Sequence, residues 1–316
     1  MPDGFLLALE GGGSRSQAAL MDFEGQVIRV AESADVNTYF ISLQEAHASV
    51  LAAVSGVLQD ANVGGERVSH FAVSLVDAQT GPELLGEIVP QARYHYYDER
   101  DVLFARAGIY QPHGVAVVAA TGATAWSVRA DDGRQAVFGG WGALLGDEGS
   151  AYAVGWMGLR AAARAYEGRE EARTDLVAAL CQQLGLSHDT FREDLTQLVY
   201  KKPMSRAEIA ALAVVVTRLA ASGDVIARRI VDQAADDLTG LMLHAARRLF
   251  GRDEAFPVAV GGGLFNAGEM ILAPVRDGLA KEFPKARLVL GQEAPAVALG
   301  RLALHDIAHE RRHNAD

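Results

Sequence analysis

A chain of 316 residues is too long for one small core and suits two lobes of ordinary size. Apolar residues make up 50% and charged residues 22%, a globular rather than disordered balance, and the net charge of −11 disfavours a nucleic-acid partner. One cysteine, Cys181, excludes a disulfide within the chain and any cysteine-rich metal or iron–sulfur site, and it fits a reducing cytoplasm.

In chain order the pattern opens with an apolar strand, Phe5 to Leu9, and a small-residue turn, Glu10-Gly11-Gly12-Gly13-Ser14. Ser16 to Met21 re-extends, Asp22-Phe23-Glu24-Gly25 turns, and Val27 to Ala31 forms a third strand. Leu43, His47, Val50, Leu51, Val54, Val57 and Leu58 recur at helical spacing. Val68 to Leu75 and Ala92 to Tyr96 read as strands, and Asp98 has the position of a helix N-cap, with Asp101 three residues on. From Gly114 the opening unit returns. Val115 to Ala119 is a strand, Ala120-Thr121-Gly122-Ala123 a tight turn, Trp126 to Arg129 a strand, Asp131-Asp132-Gly133 a turn and Gln135 to Phe138 a strand. This internal echo predicts two related lobes with a boundary near His113-Gly114, namely 1–113 and 114–294. The last helix, 295–316, is expected to pack back on the first lobe.

Beyond Ser150 the pattern is mainly helical, over Ala151–Tyr166, Ala172–Leu184, Ser205–Ala221, Asp224–Phe250 and Ala267–Glu282. Strands at Phe256–Val260 and Leu288–Leu290 interrupt it. Met1-Pro2-Asp3-Gly4 lacks the basic start of a signal peptide, and the longest apolar run, Ile209–Val216, is far short of a membrane span.

Several segments carry possible chemistry. Glycines after a strand let backbone N–H groups approach a phosphate, or simply make a tight turn. The Gly11–Gly13 loop is neither a Walker A loop nor a dinucleotide fingerprint, since no Gly-Lys-Ser/Thr follows and a hairpin rather than a helix comes next. Glu10 is placed to support Mg²⁺ or to cap its own turn. Asp98 sits where a kinase base would orient and deprotonate an acceptor hydroxyl, and N-capping is its plainer role. The run Gly139-Gly140-Trp141-Gly142 to Gly146-Asp147-Glu148-Gly149-Ser150 holds five glycines and two acids, more than a connection needs. Asp147 could accept the hydroxyls of a polyol. Gly261-Gly262-Gly263 could lie flat against an adenine or form a strand–helix turn. His309-Glu310-Arg311-Arg312-His313 fits a zinc-protease pattern, but only three residues follow it and no downstream ligand exists, so it is not expected to hold metal.

These segments resemble the N-acetylglucosamine kinase group of the BadF/BadG/BcrA/BcrD-type ATPases, within the sugar kinase, Hsp70 and actin superfamily. The matching residues are Glu10 to Ser16, Asn37-Thr38-Tyr39, Asp98, Thr121-Gly122, Gly139 through Tyr152, Gly223-Asp224 and Gly261 to Gly263. The resemblance implies an α/β, two-lobed actin-like ATPase (ribonuclease H-like) fold with the active site in the interlobe cleft. It implies ATP and Mg²⁺, a homodimer without membrane attachment, and transfer of phosphate to the 6-hydroxyl of an amino sugar such as N-acetylglucosamine, glucosamine or N-acetylmuramic acid. Asp98 becomes the base, and Asn37, Thr121, Gly122 and Asp147, with Asp98, the sugar contacts. Gly11, Gly12, Gly13, Ser14, Arg15, Thr121, Gly122 and Gly261 to Gly263 become the ATP contacts. Departures stand at Ala123-Thr124, where the family reads Ser-Asn, at Tyr39 for a Trp, and at Leu75-Val76-Asp77 for a Gly-rich stretch. They leave open a catalytically weakened sugar-binding protein, and the broader family an ATPase activator or sensor.

Overall fold

The computed structural model describes residues 4–13, 15–38, 41–76 and 82–313. Ser14, Tyr39 and Asp77 fall outside them, as does the side chain of His313. The chain divides into two compact units, Met1–Pro112 with Leu290–Asp316, and His113–Val289.

The first unit opens with β1 (Phe5–Gly11), β2 (Ser16–Met21) and β3 (Val27–Ser33), an antiparallel meander. Helix α1 (Leu43–Ala61) follows, closed at its start by a Ser42/Glu45 capping box. Strand β4 (Val68–Leu75) then lies parallel to β1. After the short α2 (Pro82–Leu85), β5 (Arg93–Tyr96) adds parallel to β4, and α3 (Glu99–Arg106) ends the first stretch. Strand order is β3-β2-β1-β4-β5. β1 and β2 are apolar at nearly every position because both faces of this sheet are covered. Leu7, Leu9, Ala18 and Leu20 pack with the Val50, Val54 and Val57 stripe of α1. Leu6, Ala8, Ala19 and Met21 pack with Ala296, Leu299 and Ala303 on the far face.

The second unit repeats the plan. β6 (Gly114–Ala119), β7 (Ala123–Val128) and β8 (Gln135–Gly139) form the meander. A helical stretch follows: α4 (Ala151–Tyr166), α5 (Leu176–Leu184), α6 (Phe191–Thr196), α7 (Arg206–Ala211), α8 (Ala213–Ala221) and α9 (Val225–Leu249). β9 (Pro257–Gly261) lies parallel to β6, α10 (Glu269–Glu282) follows, and β10 (Arg287–Leu290) completes the order β10-β9-β6-β7-β8. The final helix, α11 (Pro295–His313), returns to the first unit. Its first free N–H, from Ala296, donates to the buried Gln17 Oε1 at 3.1 Å. Gly300 lets it close on β2, since a Cβ there would meet Met21 Sδ at 2.7 Å.

Four sequence expectations need correction. β7 begins at Ala123, not Trp126, because Ala123 pairs with Ala119 and its side chain enters the core. α5 begins at Leu176, not Ala172, because the Asp224 carboxylate draws in the Thr174 hydroxyl (2.7 Å) and the Asp175 N–H (2.8 Å) and holds them out of the helix. The expected 205–221 helix has an interrupted turn at Leu212, where ψ is −18°. The start of α10 shifts to Glu269, after a 3₁₀ turn over Gly263–Ala267. Strand β3 also extends two residues past Ala31, and α2, α6 and the π turn Gln197–Lys201 were not expected at all. No single helix among the described residues is long and apolar enough to cross a membrane.

Candidate active site

Ligands of parallel α/β sheets gather beyond the carboxyl ends of the strands. In the first unit those ends carry the predicted residues together: Glu10 is level with Ser74, Gly11 with Leu75, and Val73 with Tyr96, two residues before Asp98. The three glycines divide into two jobs. A Cβ on Gly11 would stand 2.5 Å from Val36 Cγ2 and 2.9 Å from Leu75 Cδ2, so this glycine is demanded by packing. Gly12 would meet nothing, and Gly13 only Asn37 Nδ2 at 3.8 Å, so these two leave backbone open to a ligand. The turn is closed by Gly12 N–H donating to Arg15 O at 3.1 Å. Arg15 itself turns to β3, 3.4 Å from Glu32. Asn37 is buried beside the loop, its N–H donating to Asp35 Oδ1 at 2.8 Å.

Glu10 is held in an unusual state. Burial pushes its carboxyl up to about 7, the neighbouring charge of Glu99 adds to this, and Arg106 and Arg15 oppose it. Glu99 is raised by burial too. Arg106 is fixed by backbone carbonyls, Nε donating to Glu293 O (2.8 Å) and Nη2 to Gly291 O (3.2 Å). Hard carboxylate oxygens suit Mg²⁺, so Glu10 with Glu99 nearby fits that ion chemically. Asp98 is the N-cap of α3, and its N–H donates to Asp101 Oδ2 at 3.1 Å. Its side chain is 70% exposed and meets Arg100 Nη2 at 2.9 Å. Tyr97, just before it, is pinned by its hydroxyl donating to Asp306 at 2.9 Å.

In the second unit, Thr121 and Gly122 form the tip of a hairpin closed by Ala120 N–H donating to Gly122 O at 2.9 Å. The N-terminus of α4 abuts this tip, Ala151 N–H donating to Ala120 O at 2.8 Å. Asp147 lies behind it, only 3% exposed, with left-handed backbone (φ 61°). Arg206 Nη2 donates to Asp147 Oδ2 at 2.7 Å, and the Ala123 N–H points at Oδ1 from 3.4 Å. Gly139 and Gly140 are steric requirements: a Cβ on the first would strike Ala123 O at 2.7 Å, on the second Thr124 Oγ1 at 2.7 Å. Gly262 (φ 104°) passes so close to Ala119 that a Cβ would collide with its carbonyl oxygen, whereas Gly263 has open space. So within Gly261 to Gly263 the glycine at 262 serves strand packing, and 263 is the position open to a ligand; Gly261 ends β9 level with Val118.

Sequence reasoning missed Arg206, Glu99, Arg100 and Arg106. Arg206 lies 59 residues from Asp147, and its only local signal is its place after Ser205 at a capped helix start. Glu99 and Arg100 adjoin Asp98, so proximity alone could have raised them. Among the described residues no group of three or more His, Cys, Asp or Glu is arranged to hold a metal ion.

Comparison with known proteins bears on this arrangement. The sequence model of the BadF/BadG/BcrA/BcrD ATPase family matches residues 9–297. An N-acetylmuramic acid/N-acetylglucosamine kinase of Clostridium acetobutylicum is 31% identical over 183 residues, which is 58% of this chain and 58% of that protein. An N-acetyl-D-glucosamine kinase of Dictyostelium discoideum is 24% identical across 95% of this chain and 97% of that one. Among solved structures, a provisionally assigned N-acetylglucosamine kinase of Chromobacterium violaceum superposes with a TM-score of 0.69, at 24% identity, over 96% of this chain and 99% of that chain. The fold is thus the actin-like ATPase fold of sugar kinases.

Proposed function

The chain belongs to the BadF/BadG/BcrA/BcrD ATPase family, and on that premise we propose that it is an ATP-dependent kinase of amino sugars. It transfers the terminal phosphoryl group of ATP to the 6-hydroxyl of N-acetylglucosamine or a close relative, N-acetylmuramic acid or glucosamine. The names of the two curated relatives support the substrate class. The observation that carries the chemistry is Asp98: its backbone is fixed just beyond the carboxyl end of β5 as the N-cap of α3, its N–H bonded to Asp101, and its carboxylate oxygens stand at the surface. Its exposed pairing with Arg100 is worth little and yields readily to an arriving hydroxyl. Asp98 orients that hydroxyl and takes its proton as the new bond to phosphorus forms. Asn37, Thr121, Gly122 and Asp147 hold the sugar. Gly12, Gly13 and Gly263, where side chains would fill open space, offer backbone to the nucleotide. Gly11, Ser14, Arg15 and Gly261–Gly262 complete those loops. Glu10 supports Mg²⁺, which neutralises charge on the transferred group when bound. A cytoplasmic setting fits the buried, unpaired Cys181, and light scattering would test the expected homodimer.

The test is a coupled ADP assay over a panel of amino sugars with Mg²⁺ and ATP, followed by ³¹P NMR of the product. A sugar 6-phosphate is expected. ADP release indifferent to every sugar in the panel would overturn the reading.

A further inference from the structure

Asp147 is a poor recognition group if left to itself. Its backbone sits in the left-handed region, and its carboxylate is almost wholly out of water. Unsupported, such a side chain is costly to bury. Two hydrogen-bond contacts and one close approach support it. Arg206 Nη2 donates to Oδ2 at 2.7 Å, the Ala123 N–H points at Oδ1 from 3.4 Å, and both oxygens lie 3.1 Å from where a Cβ of Gly122 would be. The carboxylate thus occupies the space that a side chain on Gly122 would need, in the hairpin tip itself.

Arg206 is in turn well founded. It is the first residue of α7, whose start is locked by Ser205 and Glu208 in a reciprocal capping box. Its guanidinium also lies 5.9 Å from the Tyr152 ring centroid. The approach of α7 depends on Gly155 of α4, since a Cβ there would collide with the Ile209 carbonyl oxygen. A residue of the helical stretch is therefore brought to a loop that precedes it by 59 residues.

We propose that Arg206 is a positioning residue of the sugar subsite, fixing the Asp147 carboxylate against Gly122 so that it presents one remaining acceptor site on each oxygen to a pair of sugar hydroxyls. A carboxylate has about four acceptor sites; one on Oδ2 goes to Arg206 and one on Oδ1 to the Ala123 N–H. The ligand chemistry that fits is two neighbouring hydroxyl donors. This inference rests on the reading of Asp147 as a sugar contact.

Arg206→Met, Arg206→Lys, Asp147→Asn and the double variant Asp147→Asn/Arg206→Met decide it, with KM measured for both substrates and folding checked by thermal melting. Arg206→Met should raise the sugar KM at least about tenfold while the ATP KM stays within about twofold. Arg206→Lys should recover part of the loss, because an ammonium restores the charge but not the fixed plane of the guanidinium. The double variant should be no worse for sugar than Asp147→Asn, since the two residues act as one unit. A folded Arg206→Met with unchanged sugar KM, or with sugar and ATP KM rising together, overturns the inference. So does a double variant whose loss is the product of the single losses. Should Arg206→Met fail to fold, Arg206→Lys decides: an unchanged sugar KM in that variant overturns it. A wild-type protein that phosphorylates no sugar in the panel overturns the kinase reading and this inference with it, whereas an active wild type with an indifferent Arg206 overturns the inference alone.

Discussion

The two units run their strands in one order, β3-β2-β1-β4-β5 and β8-β7-β6-β9-β10, and treat their acids in opposite ways. In the first, Glu10 is part of the strand and feels the charge of Glu99; both carboxyls are raised, Glu10 to about 7. Asp98 is exposed beside Glu99 in sequence. In the second, Asp147 arrives from a later loop and is neutralised by Arg206 at 2.7 Å. An acid left short of compensation attracts cations and protons, and a compensated one is a fixed acceptor. On the proposed reading, the acids at the strand ends of the first unit serve the chemistry and Asp147 of the second serves recognition. Substitutions should separate along that line, into kcat and KM.

The largest effect is expected at Asp98. Asp98→Asn keeps the helix cap, since Asn caps as well as Asp, and removes the proton acceptor. kcat should fall at least about 10²-fold with the ATP KM unchanged, measured in the coupled assay. A folded variant with near-normal kcat would reduce Asp98 to a cap and break the division. Asp147→Asn comes next. The loss of one charged acceptor predicts a sugar KM higher by about 10–100-fold and a smaller change in kcat. Asn is chosen over Ala because truncation would strand the Arg206 charge and confuse recognition with folding.

The glycine turns allow a finer test. Gly262→Ala forces a side chain into the Ala119 backbone at a positive φ and should cost roughly 1–3 kcal/mol by denaturant melts. Gly263→Ala meets open space and should leave stability within about 0.5 kcal/mol while raising the ATP KM. Equal behaviour of the two would remove the nucleotide role from this turn.

The smallest effect concerns pH and the first unit alone. His70 Nδ1 and His95 Nε2 share one hydrogen bond at 2.9 Å, beneath the Phe23 ring. Burial first, then the charges of His95, Arg311 and Arg93, draw His70 down to about 4, with Glu310 opposing. The fold therefore prefers the neutral ring. Its contribution is complete above about 6.5, the unfolded value, and is lost as pH falls towards 4. Tm should drop between pH 7 and pH 4.5 by more in wild type than in His70→Gln, a difference on the order of a few °C. Parallel curves would show the pair to be indifferent.

Local pattern was enough for much of this. The paired strand–turn–strand units, the strand Val68–Leu75, the helix Ala151–Tyr166 and the cap at Asp98 follow from period, turn chemistry and capping preference, which act over a few residues. The same signals marked Glu10, the glycine loops and the Asp147 loop as candidates. They misplaced the start of β7 because Ala123 is small enough to read as turn, and only its pairing with Ala119 makes it strand. They overran α5 because the carboxylate that stops it, Asp224, lies about fifty residues further on.

What the sequence by itself determined, then, is the pair of related sheets and the stations of the acids and glycines, because strand period, turns and caps are local properties of the chain. The tertiary structure alone decided which glycines are steric necessities and which are open, that Glu10 feels the charge of Glu99, and that Asp147 is held by Arg206. Those are contacts between residues distant in sequence. Desolvation, collision and charge pairing depend on what packing brings close, and no spacing along the chain encodes it.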